Sequence, residues 1–165
     1  MVPADLVPAL AAHRQFLEGR PNGQRLSMRG AMLTGTDLER QRLSMAMLAG
    51  SDLSRARLAR SFLDGADLFG ANLAGADLTD ATLIGADLRG VNLAQARMHG
   101  ANLERADLRG ASLVQADLSG ADLRGTRLEG ADFTAADLTT ADLRGSDYMN
   151  ANLGGAKLTG ASYDT

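Results

Sequence analysis

The stretch ADLFGANLAGADLTDATLIGADLRG, residues 66–90, repeats one five-residue pattern without interruption. The pattern begins at Leu26 and divides the chain up to Thr165 into 28 consecutive units, which is 140 of the 165 residues. The central residue of the unit is Leu in 23 units, and the residue two places earlier is Ala in 20. Asp or Asn separates them in 16 units, and 16 of the 19 Gly occupy the last place. An internal repeat with the consensus A-(D/N)-L-x-G therefore determines the fold.

A period of five fits neither a long helix nor a long strand. In an α-helix, successive Leu would rotate by about 140° and leave no apolar stripe. In a continuous strand, the odd spacing would send alternate Leu to opposite faces. We therefore expect each unit to be a short extended segment, with Ala and Leu pointing inward, followed by a turn that commonly ends in Gly. The intervening Asp or Asn can bond to the turn backbone, so we interpret these side chains first as structural.

Runs such as residues 66–90 resemble the pentapeptide-repeat family, and the resemblance covers residues 26–165. It implies an all-β fold, a right-handed quadrilateral parallel β-helix with four units in each coil and with the Leu and Ala positions inside. Twenty-eight units then make a solenoid of seven four-sided coils, about 34 Å long at the usual spacing of adjacent strands. Each coil rests on its neighbours, so the two ends should be the least stable places.

Residues 1–25 precede the repeats, and we expect them to form a short N-terminal capping α-helix and a linker. Asp5 can cap a helix that carries Pro8 in its first turn and stops near Gly19. One face of this helix is suited to cover the open first coil, because it carries apolar residues and one histidine. We interpret that histidine as a polar residue at the junction of helix and coil. The residues of this face are Leu6, Leu10, His13, Phe16 and Leu17.

The other end of the β-helix has no predicted cap, because the repeat runs to Thr165 without a following helix. An open sheet edge would remain there, and such edges invite pairing. Two copies meeting end to end would bury both edges in a two-fold contact, and C-terminal dimers are also what the family resemblance implies. We predict a homodimer, with a continuation of the chain beyond Thr165 as the competing explanation. The candidate interface residues are Tyr148, Leu153, Leu158 and Tyr163.

The composition gives little support to catalysis. The chain has no Cys, two His and a formal net charge of -3. Disulfides, thiolate metal sites and cysteine nucleophiles are therefore excluded, and a convex rod offers no evident cleft for paired catalytic groups. The recurring Gly do not form a phosphate loop, since no Lys and Ser or Thr follow them in the required place. We expect no enzymatic activity, no cofactor and no metal site.

The outer surface is where function is expected. Residues 20 apart stack, and one face carries a neutral column from Thr34 to Gly154, which we interpret first as a tolerant solvent face. Large apolar residues cluster at outward positions of the first three coils, on two adjoining faces, and such clusters mark partner contacts. Coverage by residues 1–25 is the alternative. The candidate partner-binding residues are Met45, Met47, Phe62, Phe69 and Ile84.

These features predict a rigid protein-interaction or spacer module with a protein partner. The family resemblance implies an alternative, because some pentapeptide-repeat proteins mimic duplex DNA and bind DNA gyrase in its place. The two positions after the central residue carry nine Arg, whereas a mimic of phosphate rows should carry acids there. The uninterrupted register also excludes the extruded loop that gyrase-protecting relatives commonly carry.

The distribution of charged and apolar residues argues against direct binding to nucleic acids and against a membrane segment. Arg89 stacks with Arg109, and Arg124 with Arg144, but Asp lies two residues before each of them, which favours local charge ladders. Direct nucleic-acid binding is disfavoured, because no net basic face with interleaved aromatic residues is present. The sequence has no run of about 18 apolar residues and no secretory signal. We therefore expect no membrane segment and a cytoplasmic protein.

Overall fold

The computed structural model describes residues 6–164, which form one helix followed by a parallel β-solenoid. Helix α1 spans Leu6–Leu17. The solenoid is built from 24 isolated parallel bridges, the first between Ser27 and Met47 and the last between Asp142 and Ser162. Every bridge joins residues 20 apart, so four five-residue units complete one coil. Coil 1 comprises residues 26–45, and each of the following coils up to coil 7 comprises the next 20 residues. Within each coil, the four five-residue units form faces 1 to 4 in chain order, so that residues 26–30 lie on face 1.

The extended segments are as short as a β-ladder allows. Within the described residues, each unit contributes one bridge residue, the one before the central Leu, and no longer strand is formed. The remaining residues of the unit turn the chain toward the next face. The predicted alternation of short extended segments and turns is therefore confirmed, in its most compact form.

The core is a narrow column of Leu and Ala. From Leu48 to Leu143 the central residues are 2% exposed or less, including Met98 and Phe133. The predicted inward direction of both positions is thereby confirmed. Burial decreases in the last coil, where Tyr148, Leu153 and Leu158 are only partly buried.

The turns explain the Gly position of the repeat. In the unit centred on Leu63, the N–H of Ala66 donates to the carbonyl of Leu63 at 2.9 Å, and Gly65 has a φ of 62°. A left-handed residue at the second central place defines a type II turn, which favours Gly. Thr140 occupies the same place with a φ of 57°. Since a β-branched residue is strained in this conformation, the regular stacking of coils determines the turn even where the sequence opposes it.

The Asp and Asn position has a structural role as well. In coils 2 to 5, the residue after the central residue is the one residue of the unit whose backbone N–H has no backbone acceptor. This N–H instead donates to the Oδ1 of the Asp or Asn two residues earlier. Fifteen of the sixteen Asp and Asn make this bond. Each side chain therefore closes its own turn, as the sequence predicts.

Helix α1 covers the N-terminal end of the solenoid. It ends in a Schellman motif, in which the N–H of Gly19 bonds to Phe16 and the N–H of Arg20 bonds to Gln15. Leu6 and His13 are buried against the first coil. The N-cap predicted at Asp5 lies outside the described residues. Within the described part of the chain, no helix is long and apolar enough to cross a bilayer.

The linker between α1 and the first coil passes very close to the helix. A β-carbon added to Gly23 would overlap the backbone nitrogen of Phe16 and would lie 2.5 Å from the carbonyl carbon of Gln15. The N–H of Gln24 donates to the carbonyl of Ala12 at 3.1 Å. Gly23 is therefore required by a backbone-to-backbone contact that holds the helix in place.

Candidate protein-interaction surface

Four large apolar side chains are exposed on faces 4 and 1 of coils 1 to 3. Their exposed fractions are 47% for Met45, 45% for Phe62, 53% for Phe69 and 37% for Ile84. These four residues are called the apolar patch below. They were singled out from the sequence by the outward repeat position, and the structure places all four at the surface.

Backbone bonds between coils fix three of these residues on face 4. The N–H of Met45 donates to the carbonyl of Asp64 at 2.8 Å, and the N–H of Gly65 donates to the carbonyl of Ile84 at 2.9 Å. The Asp64 carboxylate also accepts the N–H of Ile84 at 2.9 Å. The N–H of Phe62 donates to the carbonyl of Gln41 at 2.9 Å. Met45, Phe62 and Ile84 therefore project from a rigid ladder, and little backbone conformational entropy would be lost on binding.

Phe69 on face 1 is held by a cation–π contact. The guanidinium of Arg89, one coil further, lies 5.3 Å from the centre of the Phe69 ring. Arg89 is itself fixed by Asp87, whose two carboxylate oxygens accept its Nε at 2.8 Å and its Nη2 at 2.6 Å. The ring is thus positioned while remaining half exposed, a geometry typical of an aromatic residue that contacts a partner.

Met47 does not belong to the exposed set, contrary to the prediction. It is half-buried, in a bridge with Ser27 on one side and Asp67 on the other. Arg29 in coil 1 forms an ion pair with Asp67 in coil 3 at 2.6 Å, across the coil that carries Met47. Coverage by neighbouring coils therefore removes Met47 from the patch.

Two exposed methionines were missed in the sequence. Met32 is 77% exposed and Met149 is 83% exposed. Both occupy outward repeat positions, so the same register that selected Phe62 and Phe69 would have found them. They lie on face 2 of coil 1 and on face 1 of coil 7, away from the other apolar residues of their faces.

The acidic and basic residues of later coils pair locally. Asp87, Asp107, Asp122 and Asp142 each bind the Arg two residues later through both carboxylate oxygens. The hydrogen bond from Arg144 lowers the pKa of Asp142 to about 2. The local pairs predicted from the sequence are confirmed, and they neutralise these carboxylates with fixed guanidinium groups.

Face 3 carries a second set of pairs, between coils. Asp37 and Arg57 are 3.1 Å apart, and Asp137 and Lys157 are also 3.1 Å apart. The hydrogen bonds from Thr139 and Lys157 lower the pKa of Asp137 to about 2. Opposite charges therefore alternate from Asp37 to Asp117. Asp137 stacks directly on Asp117, but its ion pair with Lys157 limits this acidic row to two residues.

The edge of coil 7 is lined by apolar residues. Leu143, Tyr148, Leu153, Leu158, Tyr163 and Asp164 line a shallow cavity of about 280 Å³. The two Tyr rings meet edge to face with centroids 6.4 Å apart, and the Tyr148 hydroxyl donates to the carbonyl of Asp164 at 2.7 Å. Within residues 6–164, the N–H groups of Tyr148, Leu153 and Leu158 have no backbone acceptor. The four predicted interface residues thus share one exposed edge.

The remaining histidine gives no sign of a catalytic or metal site. His99 is exposed, and its Nδ1 lies 2.9 Å from the Ser119 hydroxyl. Over residues 6–164, no group of three His, Cys, Asp or Glu side chains could hold a metal ion.

Comparison with known proteins places the repeat in a family. The family model for pentapeptide repeats matches in eight copies, over residues 24–58, 46–83, 71–110, 111–147 and 126–162. The chain belongs to the pentapeptide-repeat family. No match to this chain was found among curated proteins.

Solved structures of pentapeptide-repeat proteins are similar to this one. A protein from the thylakoid lumen of Arabidopsis thaliana is 42% identical, with 56% of this chain and 64% of that chain covered and a TM-score of 0.54. QnrB1, a plasmid-mediated fluoroquinolone resistance protein, is 25% identical, with 86% and 80% covered and a TM-score of 0.57. Rfr23 from the cyanobacterium Cyanothece 51142 is 25% identical, with 93% and 92% covered and a TM-score of 0.51. Pentapeptide-repeat proteins such as these form right-handed quadrilateral β-helices.

Proposed function

We propose that this pentapeptide-repeat protein is a non-enzymatic, cytoplasmic interaction module that binds a protein partner through the apolar patch. Residues 26–165 would supply the rigid surface, and residues 1–25 would act as its cap and linker. The observation that carries the proposal is the exposure of four large apolar side chains on a ladder that fixes their positions. Clusters of this kind cost free energy in water and are typical of partner sites.

The charges around the patch support a protein partner over a nucleic acid. Arg89 is bound to Asp87, and Arg29 is bound to Asp67. The charge of each guanidinium is therefore largely neutralised by its carboxylate partner, which weakens the attraction to phosphate. An apolar centre with locally neutralised charges at its rim is the usual anatomy of a protein–protein interface.

The test is affinity capture from the native host with two matched variants. The first variant carries Phe62→Ser and Phe69→Ser. The second carries Met149→Ser and Val114→Ser, which change apolar residues at outward positions outside the patch. We expect the unmodified chain and the second variant to retain the same partner and the first variant to lose it by tenfold or more, which is about 1.4 kcal/mol or more of binding free energy. Equal retention by both variants would contradict the proposal.

Gyrase modulation by DNA mimicry is the second candidate, and the likeness to the fluoroquinolone resistance protein QnrB1 favours it. The paired carboxylates argue against it, because Arg neutralises the Asp of four units and a phosphate mimic needs a continuous negative row. We therefore expect the purified protein not to inhibit gyrase supercoiling at micromolar concentration. Inhibition that disappears when Asp107, Asp117 and Asp137 are changed to Asn would reverse this conclusion.

We also propose a homodimer through the C-terminal edge. Within residues 6–164, three backbone N–H groups of coil 7 have no backbone acceptor, and the same coil carries the apolar cavity. Both features support this arrangement, because a second copy would bond to the former and fill the latter.

Tyr163→Asp is expected to dissociate this dimer, because it places a carboxylate in the apolar edge. Light scattering at tens of micromolar measures the oligomeric state, with Met149→Ser as the control. A monomer for the unmodified chain would defeat the dimer proposal. A dimer that persists in Tyr163→Asp would place the interface elsewhere, with the neutral column of face 2 as the next candidate.

A further inference from the structure

His13 occupies the junction between α1 and the first coil and is fully buried. Its Nδ1 accepts the backbone N–H of Leu26 at 3.0 Å, so the neutral ring carries its proton on Nε2. Among the described residues, Nε2 has no hydrogen-bond partner. The ring stacks on Phe16, with centroids 5.8 Å apart. The neutral imidazole therefore links the helix to the first residue of the repeat.

A protonated imidazole would not fit this site. Protonation of Nδ1 removes the acceptor for the Leu26 N–H and leaves a cation in a buried place. Burial is the main cause that lowers the pKa of His13, and Arg25 of the linker and Arg42 of the first coil act in the same direction. The backbone carbonyl of Ser44 acts in the opposite direction and raises the pKa of His13.

The only carboxylate of the described helix end is already engaged. Glu18 lies 2.7 Å from Arg20 and 3.5 Å from Arg42. It is therefore not available to compensate a charge on His13 without releasing one of these cations. The charged groups that face the imidazole from the linker and the first coil, Arg25 and Arg42, favour its neutral form.

The cap also contacts the edge of the apolar patch. The Nε of Arg25 donates to the carbonyl of Met45, a patch residue. Arg42, which forms an ion pair with Glu18, is joined through its backbone to Phe62, another patch residue, in a parallel β-bridge. Movement of α1 and its linker would therefore change the surroundings of Met45 and Phe62.

We propose that α1 is a proton-controlled lid, which protonation of His13 releases from the first coil together with the linker contact to Met45. The proposed response of α1 to protonation does not depend on the function proposed above. Its effect on partner binding rests on the function proposed above.

Docking of α1 is expected to weaken at low pH, because the docked helix holds His13 in its neutral form. Because the pKa of His13 is lower in the docked state than the ordinary value of 6.5, the contribution of the neutral ring to docking is fully present well above pH 6.5 and is lost as the pH falls below it. Between pH 8 and pH 5 the ratio of released to docked helix should rise by up to about thirtyfold.

The experiment uses a fluorophore on α1 of the full chain. Ala11→Cys introduces a single cysteine at an exposed place in a chain that has no other. We expect the fluorescence anisotropy of the label to fall between pH 7 and pH 5, both in this variant and with His99→Gln added. With His13→Gln added, the side chain cannot titrate, and the anisotropy should not change over this range. A fall that persists in His13→Gln, or no fall with His13 present, would overturn the lid.

A second measurement covers the case in which His13→Gln does not dock. The His99→Gln variant holds His13 as its single histidine, so an NMR titration of its imidazole is unambiguous. A titration midpoint below 6.5 supports the lid, and a midpoint at or above 6.5 overturns it. Neither measurement requires a partner, so failure of the lid and failure of the interaction proposal are distinguishable.

Discussion

Leu108→Asp is expected to unfold the middle coils of the solenoid. Leu108 is fully buried in a column of Leu and Ala, and the new carboxylate would have no partner in that dry interior. Burial of an unpaired charge costs more than about 4 kcal/mol, which is comparable to the whole stability of a small domain. Because each coil depends on its neighbours, the loss should spread beyond coil 5. Leu88→Asp should behave in the same way, and thermal melting measures both.

Arg89→Ala is the matched control, one residue after a core Leu but at an outward position. Its ion pair with Asp87 is exposed to solvent, and exposed pairs contribute little to stability. The melting temperature should therefore change only slightly. Equal effects of Leu88→Asp and Arg89→Ala would show that the inward and outward assignment of the repeat is wrong.

Gly23→Ala is expected to detach α1 from the solenoid. The added β-carbon would lie within 2.6 Å of three backbone atoms of Gln15 and Phe16, and backbone cannot move aside as a flexible side chain does. Overpacking of this kind costs about 1 to 3 kcal/mol. Since a detached helix of 12 residues is marginal in water, helical circular dichroism should fall while the repeat stays folded.

Gly154→Ala provides the comparison for this variant. The β-carbon at this position meets only the side-chain oxygen of Asn152, at 3.1 Å, and two other units carry Ala at the same outward place of face 2. We expect no change in helical signal. A helix signal that survives in Gly23→Ala would show that the linker can move away from α1.

Most of the fold could be predicted from the sequence because the repeat has one period and one register. Leu63, Ala66 and Gly65 each have the environment that their repeat position predicts. The role of Asp and Asn in closing the turn was also predictable, since an extended residue followed by a turn leaves an N–H within reach of a short acceptor. A fixed period makes one unit informative about all the others.

The contacts that depend on neighbouring coils were harder to predict. Met47 has an outward position but is half-buried, because an ion pair from Arg29 to Asp67 crosses its coil. The contact of Arg89 with Phe69 joins residues 20 apart. Its prediction requires the directions of both side chains as well as the stacking of one coil on the next. The repeat register determines on which face of the solenoid a residue lies. The exposure of its side chain also depends on the length and charge of the residues at the same position in the two adjacent coils.

The cap was predictable in outline only. The helix and its stop at Gly19 follow from local signals, but Gly23 belongs to no repeat position and its contact with Phe16 depends on the path of the linker. Similarly, the position of His13 on the covering face was visible in the sequence, while the bond from Leu26 and the missing partner of Nε2 were not. Irregular segments carry no internal copies from which such contacts can be inferred.

Site-specific photo-crosslinking tests the central claim, that the apolar patch binds a protein partner, most directly. p-Benzoylphenylalanine is placed at Phe62, at Phe69 and, as a control, at Met149, which is equally outward but lies at the other end of the rod. We predict that the first two positions crosslink to the same partner in the native host and that Met149 does not. Crosslinking from Met149 with none from Phe62 or Phe69 would contradict the account.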